Sequence, residues 1–349
     1  MPLRARRVFR LNLTVALALA GAYALALPLP FLAPLFALLL TAAPAPPMGL
    51  KGLFGVILVV IITTGVGLLL IPLLINYPVS AILLVAVGLY FSTYITVNMG
   101  KVLLGTLLTV GFTLISVAGS VDYGLAVGVI RALVISIALA IACQWVVYPW
   151  FPEDRDDDAA AKVQSEAGGA EQSNWIALRS TLIVLPAYLL ALTNPAMYMV
   201  TIMKSVSLAQ QSSVMDARNA GRELLGSTFL AGCFAILFWF GLKVCPSLWM
   251  FFLWMLLFGM YFAGKLYGAI PSRFPASFWQ NTAVTMLILL GPAVQDSANG
   301  KDVYESFAVR MSLFVAVTLY AWLAIYALEH WRTRRLRRVS PSLLKLELS

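Results

Sequence analysis

Long apolar runs follow one another along almost the whole chain, and this pattern constrains the fold more than any other feature. Runs such as 50–75, 79–97 and 123–148 hold very few charged residues. A membrane-spanning helix needs about 20 apolar residues, whereas a transmembrane β-barrel would show strands of about ten residues with alternating polarity. With 61% hydrophobic and 11% charged residues, the chain is predicted to be an all-α polytopic membrane protein.

Twelve runs are predicted to span the membrane, six on each side of a polar segment. This segment, 151–173, is acidic and rich in alanine, glycine and serine, which predicts a flexible cytoplasmic linker. It separates a first unit, 1–150, from a second unit, 174–328, and a basic tail follows at 329–349. The predicted spans are roughly 11–27, 29–43, 50–75, 79–97, 101–118, 123–148, 175–192, 195–209, 217–242, 246–268, 275–294 and 303–328.

Short segments of the first unit recur in the second. AYALALPLP (22–30) matches AYLLALTNP (187–195) at an offset of 165 residues. At an offset of 171, LKGLFG (50–55) matches GRELLG (221–226), and GLYF (88–91) matches GMYF (259–262). The chain is therefore predicted to be a tandem duplication of a six-span unit. Because six is even, both copies enter the membrane from the same side, as two parallel six-helix repeats.

The basic residues predict the orientation. The formal net charge of +9 lies mainly in the two tails, which are predicted to lie near anionic headgroups rather than to bind nucleic acid. An even number of spans puts both tails on one side, and Lys243 and Lys301 are the loop cations of the other side. Both termini are therefore predicted to be cytoplasmic, in a bacterial inner membrane. The same side holds Lys51, Lys101, Arg179, Arg218, Arg222, Lys265 and Arg273.

Catalytic and metal chemistry has little material in this sequence. The three cysteines, Cys143, Cys233 and Cys245, lack metal or redox spacing, and the one histidine, His330, lies in the basic tail. There is no glycine-rich nucleotide loop and no clustered pair of carboxylates. We therefore expect no enzyme activity, no metal and no cofactor.

The segment GRELLGSTFLAG (221–232) begins the third span of the second unit with a cation and several small residues. Lys51 occupies the place of Arg222 in the first unit. One interpretation is that both cations are anchors at the headgroups; the other is that they flank a cytoplasmic vestibule and attract an organic anion. Glu223 has no counterpart in the first unit. The small residues favour close packing between helices.

Five more residues are candidates for a substrate path. Arg131 and Arg310 lie roughly 12 Å inside their helices at 1.5 Å per residue, so each either faces a path or forms a structural ion pair. Tyr90 and Tyr261 occupy matching repeat positions and serve either packing or binding. Lys204 either reaches the cytoplasmic surface or lines the path.

Two carboxylates are candidates for coupling transport to an ion. Glu223 could also simply favour a helix N-terminus, or pair with Arg218. Glu305 follows Asp302 with the spacing of a capping box, so either it helps to cap the helix or it carries a proton. Asp122 is predicted to be a cap as well.

The repeated six-span unit, the prolines between the first two spans and the start of the third span resemble the fusaric-acid-resistance and aromatic-acid-exporter superfamily. The resemblance implies a bacterial inner-membrane component that exports aromatic and other organic acids together with a periplasmic membrane-fusion adaptor. Two features depart from that pattern. The polar segment is much shorter than the cytoplasmic domain of the larger exporters, and the basic–x–x–Gly–Thr motif is present only loosely, as Arg222, Gly226, Ser227 and Thr228. The short branch without the large domain is the most similar.

Two functions follow as hypotheses. The first is a secondary exporter of small aromatic or amphipathic anions, which works with a periplasmic adaptor. The second is a non-transporting membrane scaffold or assembly factor, which needs the same helix packing but no substrate path. The sequence is compatible with a homo-oligomer in either case.

Overall fold

The computed structural model describes residues 2–43, 45–153, 170–212 and 217–346, and in these ranges the chain forms helices and no strand. We number the helices in chain order. They are α1 (Leu3–Ala24), α2 (Leu32–Ala42), α3 (Leu50–Asn76), α4 (Pro78–Asn98), α5 (Val102–Val121), α6 (Tyr123–Val147), α7 (Ala170–Thr193), α8 (Pro195–Ser212), α9 (Ala217–Val244), α10 (Leu248–Leu266), α11 (Ala276–Ala298) and α12 (Val303–Leu346).

Eight helices in the described part of the chain are long and apolar enough to cross a membrane, namely α3, α4, α5, α6, α7, α9, α10 and α12. This confirms a helical chain suited to several membrane crossings. The twelve spans remain a prediction. Helix α2 is apolar but has 11 residues, about 16 Å of helix against a hydrocarbon core of about 30 Å. Helices α1, α8 and α11 contain more polar residues.

Carboxylate and hydroxyl caps begin three of the helices. The Asp122 side chain accepts a hydrogen bond from the Leu125 backbone N–H at 2.9 Å, and Asp302 accepts from the backbone N–H of Tyr304 at 2.9 Å. Both aspartates are therefore caps, as predicted. Ser247 caps α10 in the same way. These side chains satisfy backbone donors that have no partner in the first turn of a helix.

The two groups α1–α6 and α7–α12 have the same internal neighbours. In the first group, α1 contacts α2 and α6, α2 contacts α6, α3 contacts α4, α5 and α6, and α5 contacts α4 and α6. The corresponding helices, six further along the chain, are in contact in the second group. Between the groups, α1 packs on α10 and α4 packs on α7, while α2 meets α11 and α5 meets α8. Each group thus contributes equivalent faces to the interface.

Small residues bring helices together as the sequence predicted. A Cβ added at Gly221 would overlap the indole of Trp322, and one at Gly232 would overlap Met311, so both glycines of the GRELLGSTFLAG segment receive side chains of α12. This close approach supplies van der Waals contact where lipid provides little hydrophobic drive between helices.

We call the end of the bundle that carries Arg10, Glu153, Arg179 and Glu329 the terminal end, because it holds the start of α1 and the region that follows α6. The other end, which carries Tyr23, Lys243 and Ser297, is the distal end.

Candidate functional site

A fully buried lysine lies where α8, α9 and α11 meet. The ammonium nitrogen of Lys204, on α8, donates to Thr285 Oγ1 at 2.8 Å and to Asn281 Oδ1 at 3.5 Å, both on α11. Asn281 in turn donates through Nδ2 to the hydroxyl of Ser227 on α9. All four side chains are buried. We refer to Lys204, Ser227, Asn281 and Thr285 as the lysine cluster.

The sequence of α11 explains how the cluster forms. Asn281 and Thr285 are four residues apart, so they lie on one face of the helix, one turn above the other. This helix contacts α2, α8, α9, α10 and α12 and is buried on nearly all sides from Phe278 to Ala293. Polar side chains on such a helix face protein rather than lipid, where they can be hydrogen-bonded.

The charge of Lys204 has no acidic counterpart in the part of the chain that the structure describes. The ion pairs found there involve Glu153, Glu329 and Asp296, and each of these pairs with an arginine. Lys204 has neutral acceptors only. A buried cation without an anion is unfavourable in a bundle of low polarity, so the lysine cluster is suited to receive a negatively charged group.

The predicted vestibule cations, Lys51 and Arg222, are both exposed near the terminal end, at the start of α3 and in the first turns of α9. Their positions are compatible with an anchor and with a vestibule. Glu223 is half-buried, and its Oε2 accepts from the Ser277 hydroxyl at 3.5 Å. Glu305 is exposed, and its backbone N–H donates to Asp302.

The four remaining path candidates have separate surroundings. Arg310 pairs with Asp296 of α11, Nη1 to Oδ2 at 2.6 Å, whereas Arg131 is exposed on α6. The Tyr90 hydroxyl donates to Asn174 Oδ1 at 3.0 Å and so joins α4 to α7. Tyr261 packs among aromatic rings, with the Lys265 ammonium 5.7 Å from its ring centre. Of the predicted path residues, Lys204 is the one that is fully buried in a polar cluster.

The N-terminal arginines were expected to be headgroup anchors, but two of them pair with a glutamate. Arg10 is fully buried, and its Nη2 lies 2.5 Å from Glu153 Oε2, while Arg7 Nε donates to Glu153 Oε1 at 2.6 Å. The Arg10 guanidinium also lies over the Tyr148 ring, 4.6 Å from its centre. Burial alone would raise the pKa of Glu153, but the two arginines outweigh it and lower that pKa.

A similar pair joins the first and last helices of the second group. Arg179 Nη1, on α7, lies 3.3 Å from Glu329 Oε1 on α12. Trp175 Nε1 donates to the same glutamate at 3.1 Å, and Arg332 lies over the Trp175 ring. Sequence reasoning missed both arginine–glutamate pairs, although an arginine on the first helix and a glutamate at or beyond the end of the sixth in each unit were visible signals.

The comparisons with known proteins match one half of the chain. A family model described as "Protein of unknown function (DUF2955)" matches residues 7–147. No curated protein and no solved structure matches the chain significantly. The matched range begins in α1 and ends at the last residue of α6, so it covers the first group of six helices.

Proposed function

We propose that the protein is a secondary exporter of small organic anions, built from two parallel six-helix repeats in a bacterial inner membrane. The observation that carries this proposal is Lys204: it is fully buried between helices, and its hydrogen-bond acceptors are neutral. A carboxylate that reached the lysine cluster would supply the missing negative charge. Intramembrane ionisable residues commonly mark such paths.

Three observations support the repeat. The two groups of six helices have the same internal neighbours, and each carries an arginine–glutamate pair between its first and sixth helical regions. The family match ends with α6, as expected if the six-helix unit also occurs by itself.

The position of the lysine cluster fits alternating access. Helix α8 contacts α5 of the first group as well as α9, α11 and α12 of its own. Many transporters bind substrate between two repeats that rock against each other. In this scheme Lys204 binds the anion in both states, and tilting of one group against the other exposes it first to the terminal end and then to the distal end.

The terminal end is proposed to be cytoplasmic, because the loops and tails there carry most of the lysines and arginines. The distal connections are short, such as residues 245–247 between α9 and α10. Such loops cannot cross a periplasm, so we propose a periplasmic membrane-fusion adaptor as the partner. The lipid bilayer and the organic anion complete the proposed set of partners.

Substitution of Lys204 tests the function directly. Lys204→Met keeps the length of the side chain and removes the charge, and replacing a buried charge by an apolar group often leaves a fold as stable as before. We expect uptake of radiolabelled benzoate or 2-naphthoate into inverted membrane vesicles to fall at least tenfold, at equal protein level. Lys101→Gln, which removes an exposed lysine, should transport like the parent.

The scaffold alternative predicts a different result. If vesicles with the parent protein take up no more of these acids than vesicles without it, and Lys204→Met has no effect beyond stability, the exporter proposal is wrong. Recovery of the same protein partners by parent and variant after mild crosslinking would then favour the scaffold.

A further inference from the structure

A cavity opens at the distal end, far along the helices from the residues of the terminal end. It has a volume of about 590 Å³ and is lined by α1, α9, α10, α11 and the connection between α9 and α10. Its walls include Tyr23, Trp239, Leu242, Phe251 and Val294. This volume lies within the usual range of sites for small organic molecules.

Two polar atoms on the wall of this cavity are buried without a hydrogen-bond partner among the described residues: the Tyr23 hydroxyl and Trp239 Nε1. Buried polar groups are nearly always hydrogen-bonded, and an exception calls for an explanation such as a bound ligand. Both groups can donate, and the indole N–H can only donate. They are therefore suited to a ligand that presents oxygen acceptors.

A cation completes the cavity. The ammonium group of Lys243 lies at the edge, where it donates to the Tyr304 hydroxyl at 3.0 Å and sits 5.1 Å from the centre of that ring. No acidic side chain lines the cavity. The nearby Asp296 carboxylate is paired with Arg310. The cavity thus combines apolar and aromatic walls with two donors and one positive charge.

The other six-helix group provides an internal comparison. At the offset of 165 residues, Tyr188 corresponds to Tyr23, but Tyr188 is fully buried and its hydroxyl accepts from Ser116 at 3.3 Å. At the offset of 171, Leu68 stands where the second group has Trp239. The same repeat position is thus closed and satisfied in one group and left open with unsatisfied donors in the other.

We infer that this distal cavity is a binding site for a small molecule with an aromatic body and a carboxylate. The body packs against Phe251 and Trp239, whose rings favour aromatic contacts. The carboxylate accepts hydrogen bonds from Tyr23 and Trp239 and faces Lys243, since charge-assisted hydrogen bonds are the stronger ones. The site is distinct from the lysine cluster, and binding there does not depend on transport.

Photoaffinity labelling of the purified full-length protein tests the site. The probe is 4-benzoylbenzoate, an aromatic carboxylate that crosslinks on irradiation, and labelled peptides are identified by mass spectrometry. We expect labels near Tyr23 and between Trp239 and Phe251. Competition by 2-naphthoate should exceed competition by neutral 2-naphthylmethanol about tenfold, as a hydrogen bond to a charged group implies.

Variants separate the contributions to binding. Lys243→Gln and Trp239→Phe should each weaken labelling by about three- to tenfold. Tyr23→Phe should do the same without lowering the melting temperature, because its hydroxyl has no partner to lose. The matched control, Tyr188→Phe, removes the equivalent hydroxyl in the other group and should leave labelling unchanged.

Three results would overturn the inference. They are labels confined to other regions, equal competition by 2-naphthoate and 2-naphthylmethanol, and competition by phosphatidylglycerol alone, which would assign the cavity to lipid. Labelling as expected with no uptake in vesicles would leave this site standing and contradict the exporter proposal. Uptake without labelling would do the reverse.

Discussion

Buried cations of this protein differ in what neutralises them. Arg10 is paired with Glu153 and Arg179 with Glu329, and each arginine–glutamate contact joins the first helix of a group to the region of its sixth. Lys204, in contrast, is held by hydroxyl and amide oxygens. Since a fold gains nothing from an uncompensated buried charge, the contrast supports a functional role for the lysine and a structural one for the arginines.

The pair of Arg7 and Arg10 with Glu153 predicts a pH-dependent stability. Glu153→Gln should lower the free energy of unfolding by about 3 kcal/mol at pH 7, because it leaves Arg10 buried without its carboxylate. The pKa of Glu153 is lowered from its usual 4.5, so the contribution is complete above that value and disappears as pH falls through the lowered pKa. Melting temperatures of parent and variant in detergent should therefore converge below about pH 4.

Glu305→Gln is the control for this prediction, because it removes an exposed carboxylate and should change the melting temperature little at any pH. A difference between Glu153→Gln and the parent that stays constant from pH 7 to pH 3 would show that the side chain acts through packing rather than through its charge.

Sequence reasoning found the charged residues of the membrane region but not their partners. Arg310 stood out because a cation inside an apolar helix is rare, and Asp296 lies in another helix, near its end, so only the packing and rotation of α11 bring the two together. The same reason explains Lys204: the sequence left open a path toward the surface, and the packing of α8 against five other helices buries the amine completely.

At the scale of helices, the closest contact described between two backbones joins α3 and α5. A Cβ at Gly67 would overlap the carbonyl oxygen of Gly111, and one at Gly111 would overlap that of Thr63. Gly111 begins a π-helical turn, Gly111–Ile115, inside α5. Such turns are often found at functional positions within helices, and this one lies beside α8, which carries Lys204.

Gly67→Ala is predicted to destabilise the protein by about 1–3 kcal/mol, because the added methyl group meets backbone rather than a movable side chain. Gly65→Ala is a matched control: it lies on the same helix, and a Cβ there meets nothing within 4 Å. It should be neutral or slightly stabilising, since alanine favours helix over glycine by up to about 1 kcal/mol. Thermal unfolding in detergent measures both, and equal melting temperatures would contradict the close contact.

Helix bounds were predictable where apolar runs end at turn residues or caps. The predicted spans 50–75 and 123–148 agree closely with Leu50–Asn76 and Tyr123–Val147. Helix α1 begins at Leu3 rather than near residue 11, because the arginines of its first turns are held by protein contacts. An apolarity pattern cannot show this, since it treats every arginine as a solvated residue.

At the scale of the whole molecule, the two groups share neighbours but not chemistry. The first group has no equivalent of the lysine cluster at the matched positions, and its counterpart of the distal cavity is closed around Tyr188. A duplicated scaffold in which one copy keeps the polar residues suits a protein with one path through its second group and the inter-group interface. The scaffold was visible in the sequence through repeated segments, whereas the asymmetry depends on side-chain packing and was not.

Topology provides the last prediction, and the structure divides it into two parts. The contact of Arg10 with Glu153 places the start of α1 and the region after α6 at one end of the bundle, and Arg179 with Glu329 does the same for α7 and α12. Reporter fusions at Ser173 and Lys345 should therefore report the same side, and a fusion at Asn299, at the distal end of α11, should report the other. The basic residues then decide which side is which: green fluorescent protein should fluoresce at Ser173 and Lys345, and alkaline phosphatase should be active at Asn299. Opposite sides for Ser173 and Lys345 would contradict the even number of crossings and the parallel repeat, whereas agreement with reversed activities would contradict the orientation alone and turn the distal cavity toward the cytoplasm.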